Sequence, residues 1–208
     1  MTSTPAPVRS LEELTEQAED WRLIAKLLEA PNGDWRRQLA EASRKTVDPE
    51  LEVAVKMAQR EGNETYHDCL FGRDGLLTSR ESDYRFERDR GAVIADLHGL
   101  AETLGYARIG PEPADHIVAL VGLMAHVTTL ETEAITDRRI GEALYLEGVA
   151  EWLRRGHLAW FAEQIARAML ETDVCYLSHV AYALRARVLP PGKTATPVPR
   201  PSDSGHDD

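Results

Sequence analysis

The chain has 208 residues, of which 43% are apolar and 28% are charged. This length and composition are typical of a globular domain that buries its own core without disulfides. The formal net charge is -11, from 35 acidic and 24 basic side chains, which argues against a broad basic surface for DNA or RNA. An acidic surface attracts basic peptides at long range and also keeps a protein soluble, so the charge alone does not choose between these two interpretations.

The sequence predicts a soluble protein of the cytoplasm. The first ten residues contain no apolar stretch of the secretory type. The longest nearly unbroken apolar run, Ile117–Ala125, has nine residues, whereas a helix needs about 20 to cross a bilayer. The two cysteines, Cys69 and Cys175, follow no metal or redox spacing, and we expect free, mostly buried thiols in a reducing compartment.

Two tails flank one predicted domain. Residues 1–9 are rich in Thr, Pro and Ala, and residues 190–208 contain five prolines with few apolar side chains. Proline opposes helix formation and a polar composition opposes a core, so we expect both tails to be disordered. Residues 10–189 then form a single all-helical domain.

In the first half of this domain, apolar residues recur at helical spacing and capping residues mark where helices begin. Four helices are expected: from Ser10, with a capping box to Glu13, up to Pro31; around Trp35–Ala42; from Asp48 and Pro49 through Ala58; and over Asn63–Phe71. Residues 72–90 are polar, contain two glycines and show little periodicity. They predict a long loop or hinge, and such loops are often functional in compact domains.

The second half is more regular. One helix carries Val93–Leu104, and the next opens at Glu112-Pro-Ala-Asp115, where Asp115 is expected as a first-turn carboxylate. Three further helices are predicted over residues 137–155, 157–170 and 173–188. No segment alternates as a strand does, so the predicted fold class is all-α, a bundle of about eight or nine helices with a long irregular loop or hinge in the middle.

No pattern of catalytic or metal-ligating residues is complete. His116 and His126 lie about 15 Å apart along a helix, so they cannot share a metal ion. Glu64-x-x-His67 is one pair where a di-iron bundle needs two. Asp115 and His116 are neighbours that would point about 100° apart on a helix, which opposes an acid–base dyad. We therefore expect no enzyme activity, no metal and no other cofactor; a helical metal-dependent hydrolase using His and Asp residues, and a general interaction bundle, are the alternatives.

The segment Tyr106–Ile117 and the apolar helix after it resemble a hallmark of the TorD/DmsD family of molybdoenzyme chaperones, also called redox enzyme maturation proteins. The hallmark is Glu-Pro-x-Asp-His-Ile/Phe, which here reads Glu112-Pro-Ala-Asp-His-Ile117. In the loop, Ser79–Tyr84 lacks the proline and first tyrosine of the family's Pro-Tyr-Glu-Ser-x-Tyr-like stretch. Three further stretches are similar to family patterns and occur in the family's order: Trp21–Pro31, Tyr66–Phe71 and Gly156–Trp160.

The resemblance implies a chaperone of the cytoplasm. Such a protein binds the twin-arginine signal peptide or the apo form of a DMSO-reductase-class molybdoenzyme catalytic subunit, assists molybdenum cofactor insertion and prevents premature export. The implied partners are that subunit and proteins of molybdenum cofactor biosynthesis, with no nucleic acid and no stable membrane insertion, in a monomer or a domain-swapped dimer. The residues that carry over to client binding are Leu70, Phe71, Tyr84, Glu112, Pro113, Asp115 and His116.

The residue types suit this role. A twin-arginine signal is a basic patch followed by an apolar segment, so its binder needs an apolar groove with acidic groups at one end. Leu70 and Phe71 are the expected apolar contacts, and Asp115 with Glu112 is the expected anionic end. His116 is expected to tune the site with pH, because the ordinary pKa of histidine is about 6.5.

Overall fold

A computed structural model describes residues 10–72, 75–85, 87–107 and 112–188, and for residues 87–89 it describes the backbone alone. The tails predicted at 1–9 and 190–208 lie outside the described residues. Within those residues the chain forms nine α-helices and no β-strand, which confirms the predicted all-α class. The helices are α1 (Leu11–Leu28), α2 (Trp35–Ala42), α3 (Pro49–Glu61), α4 (Glu64–Phe71), α5 (Glu87–Thr103), α6 (Ile117–Thr136), α7 (Ile140–Leu153), α8 (Ala159–Leu170) and α9 (Cys175–Val188).

Side chains cap the N-termini of α1, α3 and α4, as the sequence predicts. The Ser10 hydroxyl accepts the Glu13 backbone N–H at 3.1 Å, and the Glu13 carboxylate accepts the Ser10 N–H at 2.8 Å. The Asp48 carboxylate accepts two backbone N–H groups at the start of α3, and Pro49 follows it in the first turn. Asn63 caps α4 in the same way. Each cap satisfies donors that a helix N-terminus leaves unpaired.

Helix α6 forms the centre of the core. It packs against α1 and α7, while α9 packs against α3 and α8. Every residue of α6 from Ile117 to Ala125 is buried, as expected for a helix that is apolar all round. By length and composition this 20-residue helix could cross a membrane, but 72% of its apolar stretch is buried inside the fold. That burial is typical of the core helix of a soluble protein.

Three predicted boundaries differ from the structure. Helix α5 begins at Glu87, inside the predicted 72–90 loop, because its polar first turn has no apolar periodicity to reveal it. Helix α6 begins at Ile117, so Asp115 lies before the helix and is not its first-turn carboxylate. The helices predicted over 137–155 and 157–170 are joined without a break by a π-helical turn at Arg154–Leu158.

Both cysteines are exposed, so the expectation of mostly buried thiols was wrong. Cys69 lies on the outer side of α4, whose buried residues are His67, Leu70 and Phe71. Cys175 is the first residue of α9, and the Glu61 carboxylate beside it raises the pKa of its thiol. A nearby negative charge disfavours the thiolate, which makes Cys175 less reactive than an isolated cysteine.

Gly62 follows α3 at a position that leaves no space for a side chain. A Cβ there would lie 2.6 Å from the Ala58 carbonyl oxygen and 2.6 Å from the Trp35 ring, and that ring is buried in the core. We expect Gly62→Ala to lower the free energy of unfolding by roughly 1–3 kcal/mol, because the ring or the backbone must move. Urea unfolding followed by circular dichroism measures the change.

The matched control is Gly99→Ala, within α5. A Cβ on Gly99 would meet nothing within 4 Å, so alanine should stabilise the protein by about 0.5–1 kcal/mol through its higher helix propensity. The two variants are expected to change stability in opposite directions, and a shared direction would contradict the packing around Gly62.

Candidate functional site

The irregular segment between α4 and α5 is tied to the turn that precedes α6. The Ile117 N–H donates to the Ser79 carbonyl at 2.9 Å, and the Glu81 N–H donates to the Asp115 carbonyl at 2.9 Å. Between these bonds, Arg80 and His116 form an isolated antiparallel bridge. Two stretches that are far apart in sequence, 79–81 and 115–117, therefore hold each other in place through their backbones.

The Asp115 carboxylate strengthens this connection from inside the protein. Its side chain is fully buried, at 0% exposure, and one carboxylate oxygen accepts the Ser82 backbone N–H at 3.0 Å. A buried carboxylate needs such donors because water is not available to solvate it. Asp115 was predicted, with Glu112, to form the anionic end of a groove; in the structure its carboxylate is buried and holds residues 79–82 beside the site.

A cavity of about 490 Å³ lies where these stretches meet. Phe71 and Leu77 contribute apolar surface, while Asp83 and Glu112 contribute carboxylates. Among the described residues around it, these two anions outnumber the one guanidinium, that of Arg80. The lining consists of Phe71, Gly72, Gly75, Leu77, Thr78, Ser79, Arg80, Asp83, Glu112 and His116. The lining is thus mainly polar, with Phe71 and Leu77 as its apolar side chains and Asp83 and Glu112 as its carboxylates.

The buried imidazole of His116 lies against this cavity. Its Nδ1 accepts the Val118 backbone N–H at 3.3 Å and so caps α6, which leaves the proton of the neutral ring on Nε2. That buried Nε2 has no hydrogen-bond partner among the described residues. Glu112 Oε2 lies 3.8 Å from it, beyond hydrogen-bonding distance.

Burial lowers the pKa of His116 from 6.5 to about 4, with smaller contributions from the charges of Arg80 and His67. The low-dielectric interior disfavours the imidazolium, and positive neighbours add to this effect. His116 is therefore uncharged near neutral pH and does not tune the site there, contrary to expectation. The 3.8 Å approach to Glu112 is accordingly not an ion pair at that pH.

Of the seven residues predicted for client binding, Phe71, Glu112 and His116 line the cavity. Leu70 is buried at 8% exposure, and Pro113 is half-buried in the turn before α6. The Tyr84 ring instead packs 5.6 Å from Phe161. Sequence reasoning missed Arg80 and Asp83, because their loop shows no periodicity and only the pairing with the turn before α6 brings them to the cavity.

A second buried cluster fixes the other side of this segment. The Glu81 carboxylate, at 0% exposure, accepts hydrogen bonds from Arg85 and lies 2.8 Å from His157 Nδ1. Arg85 also donates to the Gly156 carbonyl at 2.9 Å and stacks 4.8 Å above the Trp160 ring. The cluster connects residues 81–85 to the π-helical turn and α8, so the segment that lines the cavity is anchored at both ends.

Most of the remaining histidines have structural partners. His67 Nε2 lies 3.0 Å from the Leu28 carbonyl, His126 Nε2 lies 2.9 Å from the Leu104 carbonyl, and His179 Nδ1 lies 2.7 Å from Glu50. In the part of the chain that the structure describes, no group of three or more His, Cys, Asp or Glu side chains could hold a metal ion.

No family model, no curated protein and no solved structure matches the chain. The observations that bear on function are therefore the composition of the cavity, the buried segment that forms it and the resemblance of the sequence motifs. The cavity lining includes two carboxylates and two apolar side chains, a combination that suits the recognition of a peptide with both basic and apolar residues.

The displaced pKa of His116 predicts a pH-dependent stability. The unfolded chain takes up a proton near the ordinary pKa of 6.5, whereas folded His116 does so only at about 4. As pH falls through this window, the protonation of His116 in the unfolded chain should lower the free energy of unfolding by roughly 2–3 kcal/mol.

The variant His116→Asn tests this prediction. It should lack that part of the loss in stability, while asparagine still caps α6. Urea unfolding at pH 7 and at about pH 4.5 compares the two proteins, and equal losses would contradict the assignment.

The buried carboxylate of Glu81 predicts a second stability effect. Glu81→Gln should lower the free energy of unfolding by roughly 2 kcal/mol, because Arg85 and His157 lose a charged acceptor. The control Glu52→Gln changes an exposed carboxylate that lies 3.6 Å from Lys56, and exposed pairs contribute little. Thermal and urea unfolding measure both variants; if the two losses are similar, the buried cluster does not anchor the segment.

Proposed function

We propose that the protein is a cytoplasmic chaperone that binds the twin-arginine signal peptide, or the apo form, of a DMSO-reductase-class molybdoenzyme catalytic subunit. In this role it holds the subunit while its molybdenum cofactor is inserted and delays export until then. The observation that carries the proposal is the cavity beside the Glu112–Ile117 motif, in which two carboxylates adjoin apolar side chains. The resemblance of four sequence stretches to the TorD/DmsD family supports it.

The chemistry of the cavity suits a basic peptide. The carboxylates of Asp83 and Glu112 can each accept hydrogen bonds from an arginine guanidinium, whose planar fork matches a carboxylate. The net charge of -11 adds long-range attraction for such a peptide. Since Asp115 is buried, the anionic role that the motif suggests passes to Glu112 and Asp83.

The rest of the cavity can hold the peptide next to its arginines. Phe71 and Leu77 offer apolar surface, which suits the residues that follow a basic patch. His116 is uncharged near neutral pH, so its ring adds no positive charge beside the peptide arginines.

Calorimetric titration with twin-arginine signal peptides of molybdoenzymes from the same genome tests the proposal. One peptide should bind at micromolar concentration or tighter, more weakly at higher salt, and more weakly when its arginines are changed to glutamine. Asp83→Asn and Glu112→Gln should each weaken binding by roughly tenfold or more, because each removes a charged hydrogen bond. Neither change is expected to affect folding, which circular dichroism checks.

The matched control is Glu102→Gln on α5. This carboxylate is exposed and lies 3.5 Å from His98, outside the cavity, so peptide affinity should stay the same. If the control weakens binding as much as the cavity variants do, general electrostatic attraction explains the affinity. If no signal peptide binds, the apo catalytic subunit is tested in the same titration, and failure of both contradicts the proposal.

A further inference from the structure

A second surface, distinct from the cavity, exposes large apolar side chains on α7. Leu144, Tyr145 and Trp152 are 63%, 54% and 43% exposed. With α5 they form a groove of about 530 Å³, lined by Asp96, Leu100, Leu144, Tyr145, Gly148, Val149 and Trp152. Contiguous apolar surface of this kind is unusual on a soluble protein unless something binds there. The groove shares no lining residue with the cavity.

The shape of this groove suits a helix. Leu144, Gly148 and Trp152 recur every four residues of α7, so they form one row about 12 Å long, roughly two helical turns. A Cβ built on Gly148 would meet nothing within 4 Å, which leaves the middle of the row open for close approach. A partner helix can therefore lay an apolar stripe of matching spacing along α7.

The charges around the groove favour a helix that carries basic residues. Asp96 lines it, and Glu147 is the neighbour of Gly148 on the exposed side of α7. Glu142 and Glu151 on the same helix pair with Arg139 and Arg154, whereas Asp96 and Glu147 form no ion pair with any side chain that the structure describes. Two available carboxylates next to apolar surface complement lysine or arginine beside an apolar stripe.

The same charges oppose a second copy of this chain as the occupant. Each copy would bring its own Asp96 and Glu147 to the interface, and each carries a net charge of -11. Like charges placed together weaken association. The helix that fits this groove is therefore basic and comes from another polypeptide.

We propose that the α5–α7 groove is a docking site for a basic amphipathic helix of a partner polypeptide. The apolar stripe of that helix contacts Leu144, Tyr145 and Trp152, and a lysine or arginine of it lies against Asp96. This interaction is separate from peptide capture in the cavity and does not depend on it.

A fluorescein-labelled Leu/Lys peptide of about 18 residues with apolar side chains at helical spacing serves as the probe. The control peptide has the same composition in an order that gives no apolar stripe. Fluorescence anisotropy should show binding of the amphipathic peptide to the full chain about tenfold tighter than binding of the control. Equal affinity for the two peptides would mean that charge alone causes binding, and would overturn the proposal.

Variants of the groove make the test specific. Leu144→Asn removes an exposed apolar contact, and Gly148→Gln fills the middle of the row without a clash. Each should lower the affinity for the amphipathic peptide by about tenfold. Asp96→Asn should lower this affinity several-fold and make it less dependent on salt. Val47→Ser, at a site 68% exposed and outside the groove, is the control and should leave affinity unchanged.

Two further outcomes would overturn the proposal. Loss of affinity in Val47→Ser equal to that in Leu144→Asn would show that any exposed apolar residue binds the probe. A dimer in analytical ultracentrifugation that Leu144→Asn dissociates would show that a second copy occupies the groove. The probe carries no twin-arginine motif and the groove variants lie outside the cavity. Failure of this test therefore does not change the separate test of signal-peptide binding, which uses Asp83→Asn and Glu112→Gln.

Discussion

The hydrogen bonds between residues 79–82 and 115–117 are the constraint on which the candidate site depends. Without them, a polar segment with few apolar side chains would have no reason to lie against the start of α6. The Asp115 carboxylate secures the connection because, once buried, it must be hydrogen-bonded, and the Ser82 N–H is the donor within reach. The walls of the cavity, including Arg80 and Asp83, follow from this pairing.

The Glu81 cluster extends the same constraint to the other half of the bundle. Glu81 lies next to Arg80 in the cavity wall, and its carboxylate reaches His157, whose ring lies 4.4 Å from the Trp152 ring. Trp152 in turn ends the apolar row of the α5–α7 groove. The Glu81–His157 hydrogen bond and the His157–Trp152 ring contact thus connect the cavity to the α5–α7 groove. The two proposed binding surfaces share this part of the bundle.

The helices were predictable because the capping residues that begin them and the apolar spacing along them are local features of the sequence. Ser10, Asp48 and Asn63 act on N–H groups two or three residues away, and the apolar run of α6 matches its burial. The start of α5 was missed because its first turn is polar. A break was predicted between residues 155 and 157, whereas a π-helical turn joins α7 to α8 there, because apolar spacing alone does not distinguish the two. The exposed cysteines show the same limit: a residue type does not state which side of a helix faces the core.

The sequence by itself determined the all-α class, the positions of most helices, the acidic charge and the motif that resembles the TorD/DmsD hallmark. Only the tertiary structure decided what the motif residues do: Asp115 is buried, while His116 and Glu112 line a cavity with Arg80 and Asp83. The physical reason is that burial, hydrogen bonding and pKa depend on neighbours far apart in sequence. His116 is uncharged near neutral pH because of what packs around it, and no pattern of adjacent residues encodes that.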